Sequence, residues 1–200
     1  LADQRKQAAR GKRERLVAAA VELAYRQGFG KTTLADLADE SQVPLGNIYY
    51  YFKTRDDIGN AVLDWRQGEF VAMRDRLSEL ESPLARLVAF VEMTVANAPL
   101  VAERGCPMGS LTAELLKDGG DLAGRARALM ADPMAWMAEQ FAALGHEADA
   151  DDLALQLQST LQGASLLAQS FGEPEPLERE GRRLLGWLSE LGGSGRGHTS

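Results

Sequence analysis

From Lys12 to Gln27 apolar residues recur at spacings of three and four, with Leu16, Ala20, Leu23 and Ala24 on one face and Gly28 directly after. That period marks an amphipathic helix, and glycine is its usual stop. A second, much shorter periodic segment follows. Thr33 is placed to cap it, Asp36 stands three residues on, and Leu34, Leu37 and Ala38 point inward until Ser41. Gln42 and Val43 make a brief turn. Pro44 suits the first position of another helix, where a missing N–H costs nothing, and Leu45 to Tyr51 continue it. Thr54, followed by Arg55, Asp56 and Asp57, caps a long helix reaching to near Leu80: a hydroxyl for the orphan amides, then acids at the positive end of the dipole.

The same period continues to the C-terminal end. It predicts a break at Glu81 to Pro83, beyond it an apolar helix to about Ala96, a turn at Gly105, Cys106 and Pro107, and a short helix ending at Lys117. A methionine-rich helix over Asp121–Leu144 is expected to kink or break at Pro133. Two more helices, Ala148–Phe171 and one ending near Leu191, are separated by Gly172-Glu173-Pro174. No segment reads as a strand, so the fold class is all-α, in about nine helices. The expected organisation is an N-terminal basic arm and head over residues 1–58, a helical body over 59–191, and a disordered tail over 192–200.

Two short helices across a tight turn are the parts of a helix-turn-helix, whose second helix reads the major groove while the first crosses the backbone. On that second helix Leu45, Gly46, Asn47, Tyr49 and Tyr50 should face outward, while Ile48 and Phe52, four apart, anchor it. Glycine is disfavoured inside helices by about 1 kcal/mol, and at the exposed front of a recognition helix it permits close approach to DNA. Asn47 can both donate to and accept from an adenine edge, and Tyr49 and Tyr50 can reach phosphates or thymine methyls. Thr33, Pro44, Lys53, Thr54 and Arg55 complete the expected DNA-facing set, with Thr33, Thr54 and Arg55 as phosphate clamps.

These residues carry a resemblance. Gly28-Phe29, Thr33, Leu37-Ala38, Val43, Gly46, Ile48-Tyr49, Tyr51-Phe52 and Ile58 resemble the N-terminal domain of the TetR family of transcriptional regulators, over about residues 10 to 58. Two positions depart from the family pattern. Gln42 stands where glycine is usual, so a left-handed turn there carries mild strain, and Pro44 stands where a Ser or Thr is usual, removing a hydroxyl contact to DNA. The resemblance implies a homodimer joined through its last two helices, an effector cavity among the middle helices, and release from a palindromic operator when the effector binds.

Charge sharpens the division. The 200 residues carry 22 Lys/Arg and 29 Asp/Glu, net -7. Residues 1–60 hold ten basic and eight acidic side chains, against twelve and twenty-one in the rest. Arg5, Lys6, Arg10, Lys12, Arg13 and Arg15 face only Asp3 and Glu14, a cluster suited to phosphates. The acidic, apolar-rich body argues against an architectural DNA-binding protein, which would spread positive charge over its surface.

In the body, Trp65, Met73, Phe90, Met93, Thr94, Met108, Leu111, Met130, Met134, Trp136, Met137 and Phe141 offer an apolar lining for a flat or hydrophobic effector, though several must be ordinary core. Leu153, Leu157, Leu161, Ala164 and Ala168, then Leu177, Leu184, Leu185, Trp187, Leu188 and Leu191, form apolar faces that either meet a second copy or pack within one chain. The lone Cys106, in Arg104-Gly105-Cys106-Pro107, is either a small core or effector-lining residue or a thiol that senses oxidants or electrophiles. One cysteine forms no intramolecular disulfide, in keeping with the cytoplasm, and no stretch reads as a targeting segment or reaches the roughly 20 apolar residues of a membrane span. Neither His146 nor His198 has a catalytic motif around it. His146 is expected in a solvated loop, and Asp149, Asp151 and Asp152 are expected to cap the next helix rather than bind metal. No enzyme, cofactor or metal is therefore expected; the partners are double-stranded operator DNA and a small effector.

Overall fold

The structure, a computed structural model, describes residues 2–194, with residues 2–10 and 194 described by backbone alone. All regular structure among the described residues is helical: α1 Ala2–Gln27, α2 Leu34–Ser41, α3 Leu45–Tyr51, α4 Arg55–Ser78, α5 Pro83–Ala96, α6 Ala98–Arg104, α7 Pro107–Asp118, α8 Gly120–Ala126, α9 Ala128–Ala143, α10 Ala150–Phe171 and α11 Glu175–Ser194. Single residues, Asn97 and Arg127, separate α5 from α6 and α8 from α9. Counting each of those pairs as one interrupted helix gives the nine expected from the period.

Three boundaries differ from the sequence expectation. The first helix extends back through the basic segment to Ala2, so that segment has helical backbone. Of the expected tail, residues 192–194 are the end of α11, and 195–200 lie outside the described residues. The methionine-rich helix breaks at Arg127 and not at Pro133, which sits inside α9. A helix accommodates proline by giving up one hydrogen bond, here the bond that the Leu129 carbonyl would accept.

The described residues fold as two compact units, Leu1–Glu69 with Ser110–Leu129 and Phe70–Gly109 with Met130–Ser200. In the first, α1 packs on α2 and α2 on α3 around Leu16, Ala20, Leu23, Phe29, Leu37, Val43, Ile48 and Phe52, all nearly sealed from solvent. This unit is larger than residues 1–58 because α8 and the later part of α7 pack into it. Arg125 donates to Asn60 and to Asp64 of α4, each at 2.5 Å, and a Cβ on Gly59 would lie 2.6 Å from Leu122 Cδ1. In the second unit α10 packs on α11 and α6, and α11 on α5, around Leu87, Val91, Met137, Phe141, Leu157, Leu161, Leu177 and Leu188. Leu157, Leu161, Ala164 and Ala168, with Leu177, Leu184 and Leu188, are buried within this one chain, so these faces of the last two helices are spent on the seam between them.

The turn between α2 and α3 takes the strained form anticipated from Gln42. That residue has φ 56°, ψ 32°, the only left-handed non-glycine among the described residues, and its Nε2 donates to the Asp39 carbonyl at 2.6 Å. A left-handed residue with a Cβ costs about 1–2 kcal/mol, which the one side-chain bond offsets in part. Gln42→Gly should therefore raise stability by about 0.5–1 kcal/mol, read as a higher urea midpoint at unchanged m-value.

Candidate nucleic-acid interface

Helix α3 has seven residues and one fully buried side chain, Ile48. Phe52 closes the helix from its C-terminal side, 4% exposed, with the Arg13 guanidinium 5.7 Å from its ring centre. The opposite face is open: Leu45, Tyr49 and Tyr50 are 46%, 54% and 75% exposed, and Pro44, Gly46 and Asn47 are exposed with them. No atom lies within 4 Å of where a Gly46 Cβ would be, so no packing within the chain calls for glycine. Tyr50 meets Tyr51 edge to face with ring centres 5.1 Å apart, which leaves both Tyr49 and Tyr50 projecting. Pro44 occupies the N-cap and supplies no side-chain bond, so the leading amides of α3 lack the hydroxyl acceptor that a Ser or Thr brings.

The helices on either side of α3 start in the same way, with a threonine cap and an aspartate three residues on. At α2 the Asp36 amide donates to Thr33 Oγ1 at 3.1 Å, while the Thr33 amide donates to Asp36 Oδ2 at 2.9 Å. At α4 the Asp57 amide donates to Thr54 Oγ1 at 3.1 Å, and Asp57 Oδ2 accepts from the amides of Thr54 at 2.9 Å and Lys53 at 2.8 Å. These are reciprocal capping boxes with Asp in place of Glu. The Thr33 backbone N–H, then its hydroxyl, hold the Asp36 carboxyl below its ordinary value; the Thr54 and Lys53 backbone N–H groups do the same for Asp57. Thr33, Lys53, Thr54 and Arg55 are all exposed on this side of the fold. Arg55 is also engaged inward, donating to the Phe29 carbonyl at 2.6 Å with its guanidinium 4.8 Å from the Phe29 ring centre.

An outward face of polar and aromatic side chains on a short helix, seated by Ile48 and preceded by a left-handed turn from α2, is the geometry of a helix-turn-helix reader. Residues 16–62 match the family model described as bacterial regulatory proteins, tetR family. Over 198 residues the chain is 33% identical to an uncharacterized HTH-type transcriptional regulator of Mycobacterium tuberculosis, covering 90% of this chain and 96% of that one. This protein belongs to the TetR family. The TetR fold extends beyond the head into most of the chain: a TetR transcriptional regulator from Chloroflexus aurantiacus superposes with a TM-score of 0.78 at 24% identity, covering 92% of this chain and 97% of that one. The reduced form of Escherichia coli NemR superposes with 0.69 at 24% identity over 90% and 96%. In sequence, the HTH-type transcriptional repressor NemR of that organism is 28% identical over 123 residues, 59% of each chain. The TetR family is a non-enzymatic family of transcriptional regulators, and the protein is an HTH-type transcriptional regulator.

Residues expected to line an effector site in this TetR chain fall in different surroundings. Met137 and Phe141 are fully buried in the core of the second unit, where Phe141 packs on Trp187 with ring centres 5.7 Å apart. Phe90 lies 5.6 Å from Trp136 in the same way, and Met73 and Met108 pack against that core. Thr94 spends its hydroxyl on the Phe90 carbonyl at 2.9 Å, Met134 is half-buried, and Met93 is 37% exposed. Trp65, in the first unit, is 41% exposed. Cys106 is half-buried, and its Sγ receives the Gly109 N–H and the Gln162 Nε2, each at 3.4 Å.

Two expectations about the α9–α10 turn need correcting. His146 is not fully solvated: its Nε2 is buried and has no hydrogen-bond partner, because the turn folds back so that the His146 amide donates to the Phe141 carbonyl. Asp149 occupies the N-cap of α10 without a side-chain cap bond, while Asp151 and Asp152 sit in its first turn. No group of three or more His, Cys, Asp or Glu among the described residues is arranged to hold a metal ion. Among the described residues no single helix is long and apolar enough to cross a membrane. Sequence reasoning missed Arg125 and Glu114 as parts of the first unit, since their partners lie far away along the chain and leave no local pattern.

The capping aspartates give the head an acid dependence. Each is held below the ordinary value near 3.8, so each contributes stability that is complete above that value and lost as the pH falls through its lowered folded-state value. Thermal melts followed by circular dichroism should show Asp36→Asn and Asp57→Asn less stable than wild type at neutral pH, with a shallower decline below about pH 4.

Proposed function

We propose that this regulator is a cytoplasmic, homodimeric repressor that holds a palindromic operator through two copies of α3 and is released by a small, largely apolar effector. The observation that carries the reading is the open face of α3. Gly46, Asn47, Tyr49 and Tyr50 are exposed, with open space where a Gly46 Cβ would be, while Ile48 directly behind them is completely sealed. In this reading Asn47 reads a base edge, Tyr49 and Tyr50 reach the backbone or thymine methyls, and Thr33, Pro44, Leu45, Lys53, Thr54 and Arg55 border the contact.

Support for the dimer comes from the outer side of α10. Leu155, Leu166, Leu167 and Phe171 are 52%, 63%, 48% and 64% exposed, and Gly163 between them has open space where a Cβ would be. These recur at helical spacing, a second apolar face distinct from the one already buried against α11. A palindromic operator read by two such heads would require their recognition helices about 34 Å apart, one turn of DNA.

For the effector, the support is polar side chains set into apolar surroundings in the second unit. Gln158, 7% exposed, has Met130 Sδ at 3.9 Å as its donor contact, and Gln162 reaches the Cys106 sulfur. A ligand offering a carbonyl or hydroxyl would give these amides better partners than sulfur. Its effect on DNA binding is limited to its differential affinity for the bound and released arrangements of the heads. Footprinting on genomic DNA should reveal a palindromic site. Asn47→Ala should relax base preference by about 1–3 kcal/mol at one position per half-site, and Tyr49→Ala should weaken all sequences alike. Unchanged affinity and selectivity in both variants would rule out this docking of α3.

A second reading is favoured by one observation, the two N–H groups directed at Cys106 Sγ. An electrophile alkylating that sulfur would displace both donors and would itself be the releasing signal. Iodoacetamide should then release wild type from DNA and leave Cys106→Ser bound; equal release of both would eliminate the sensor.

A further inference from the structure

Between α1 and α2 the chain turns through Gly28, Phe29 and Gly30, with the Phe29 ring buried. Glu114, on the part of α7 that belongs to the first unit, reaches this turn from 84 residues further along the sequence. Its carboxylate accepts the Phe29 N–H at 2.9 Å and also the Gly30 N–H. The Phe29 carbonyl is taken by Arg55, the first residue of α4. One turn is thus gripped from two sides, in addition to its own bonds from the Gly28 N–H to the Ala24 carbonyl and from the Thr32 N–H to the Phe29 carbonyl, and the Phe29 and Gly30 N–H groups are answered by the carboxylate.

The glycines show that the approach is built in. Gly28 has φ 92°, a conformation that ends α1 and favours glycine by itself. Gly30 is not in the left-handed region, so its backbone makes no such demand. A Cβ there would instead lie 2.6 Å from Glu114 Oε1. A side chain at Gly30 would therefore have to push the end of the Glu114 side chain aside. Two N–H groups on one ionised carboxylate are charge-assisted bonds, roughly twice as strong as neutral ones. Glu114 faces the α1–α2 turn, while the open face of α3 carries neither of its partners.

We propose that Glu114 is a positioning residue for operator binding: by seating α7 on the Phe29–Gly30 turn it sets α2, and the α3 packed on α2, at the angle the operator requires. The proposal rests on the operator-binding reading above and deepens it by naming a joint through which that site is controlled. Helix α7 runs from Pro107 to Asp118, and a displacement of Glu114 from the turn uncovers the Phe29 and Gly30 amides.

The test uses the full chain and a fluorescein-labelled duplex selected by the wild-type protein from a random-sequence pool. Glu114→Gln keeps the shape but turns an NH2 toward one of the two N–H donors. It should weaken binding about tenfold, while the slope of log affinity against log salt stays at the wild-type value because no phosphate contact is lost. The Phe29 and Gly30 amide protons should exchange faster in that variant. Gly30→Ala, which displaces the carboxylate without altering its charge, should reproduce the loss, and the double variant should bind no more weakly than either single one. An affinity of Glu114→Gln within twofold of wild type, or additive losses in the double variant, would overturn the proposal. If Glu114→Gln does not fold, wild-type affinity in Gly30→Ala overturns it equally. Wild type selecting no duplex would sink the operator-binding reading and this inference together, whereas normal wild-type binding with unaffected variants sinks the inference alone.

Discussion

A seven-residue helix cannot hold itself in water, because nucleating the first turn fixes many torsions for few hydrogen bonds. Helix α3 exists because Ile48 is completely buried and Phe52 nearly so, with Val43 sealed in the turn before them. Fully burying a side chain of that size stabilises by about 1.5–3 kcal/mol, enough to decide the conformation of so short an element. Everything on the outer face follows from this seating. Once Ile48 is inward, a period of 3.6 leaves Gly46, Asn47, Tyr49 and Tyr50 outside together, and Leu45 is exposed at the open start of the helix.

The residues that break local rules gather around this helix. Gln42 adopts a conformation suited to glycine, Pro44 caps without a hydroxyl, and Gly46 weakens a helix that can spare little. None of the three fills space in the core. Conflicts between local preference and fold are expected at functional surfaces, where contact with a partner and not folding stability selects the residue. The flanking capping boxes offset part of the strain by holding the starts of α2 and α4 with ionised aspartates.

The second unit obeys a different logic. Met137 and Phe141 are simply core, and one set of leucines on α10 and α11, among them Leu157, Leu161, Leu177 and Leu188, is consumed in the packing of those helices. What this packing leaves over is informative: an apolar stripe through Leu155, Leu166 and Phe171 on the outside, and the amides of Gln158 and Gln162 answered by sulfur on the inside. Membership of the TetR family and the all-helical fold are independent of how these leftovers are used.

The sequence by itself determined what lies within a turn or two of each residue. The period of α1, the threonine–aspartate caps of α2 and α4 and the outward face of α3 were all legible, because bonds between residues three or four apart depend on nothing else, whereas the left-handed turn at Gln42 was expected from the family pattern. The tertiary structure alone decided which apolar faces meet. Periodicity shows that α10 is amphipathic, but both Leu157 and Leu166 are leucines, and only the position of α11 makes one core and the other surface. The short α6, the break at Arg127 and the inward turn of His146 Nε2 were likewise settled by packing. So was the grip of Glu114 on the Phe29–Gly30 turn. A carboxylate on one helix and two amides 84 and 85 residues away share no spacing that a sequence can display, and only the folded chain brings them within hydrogen-bond distance.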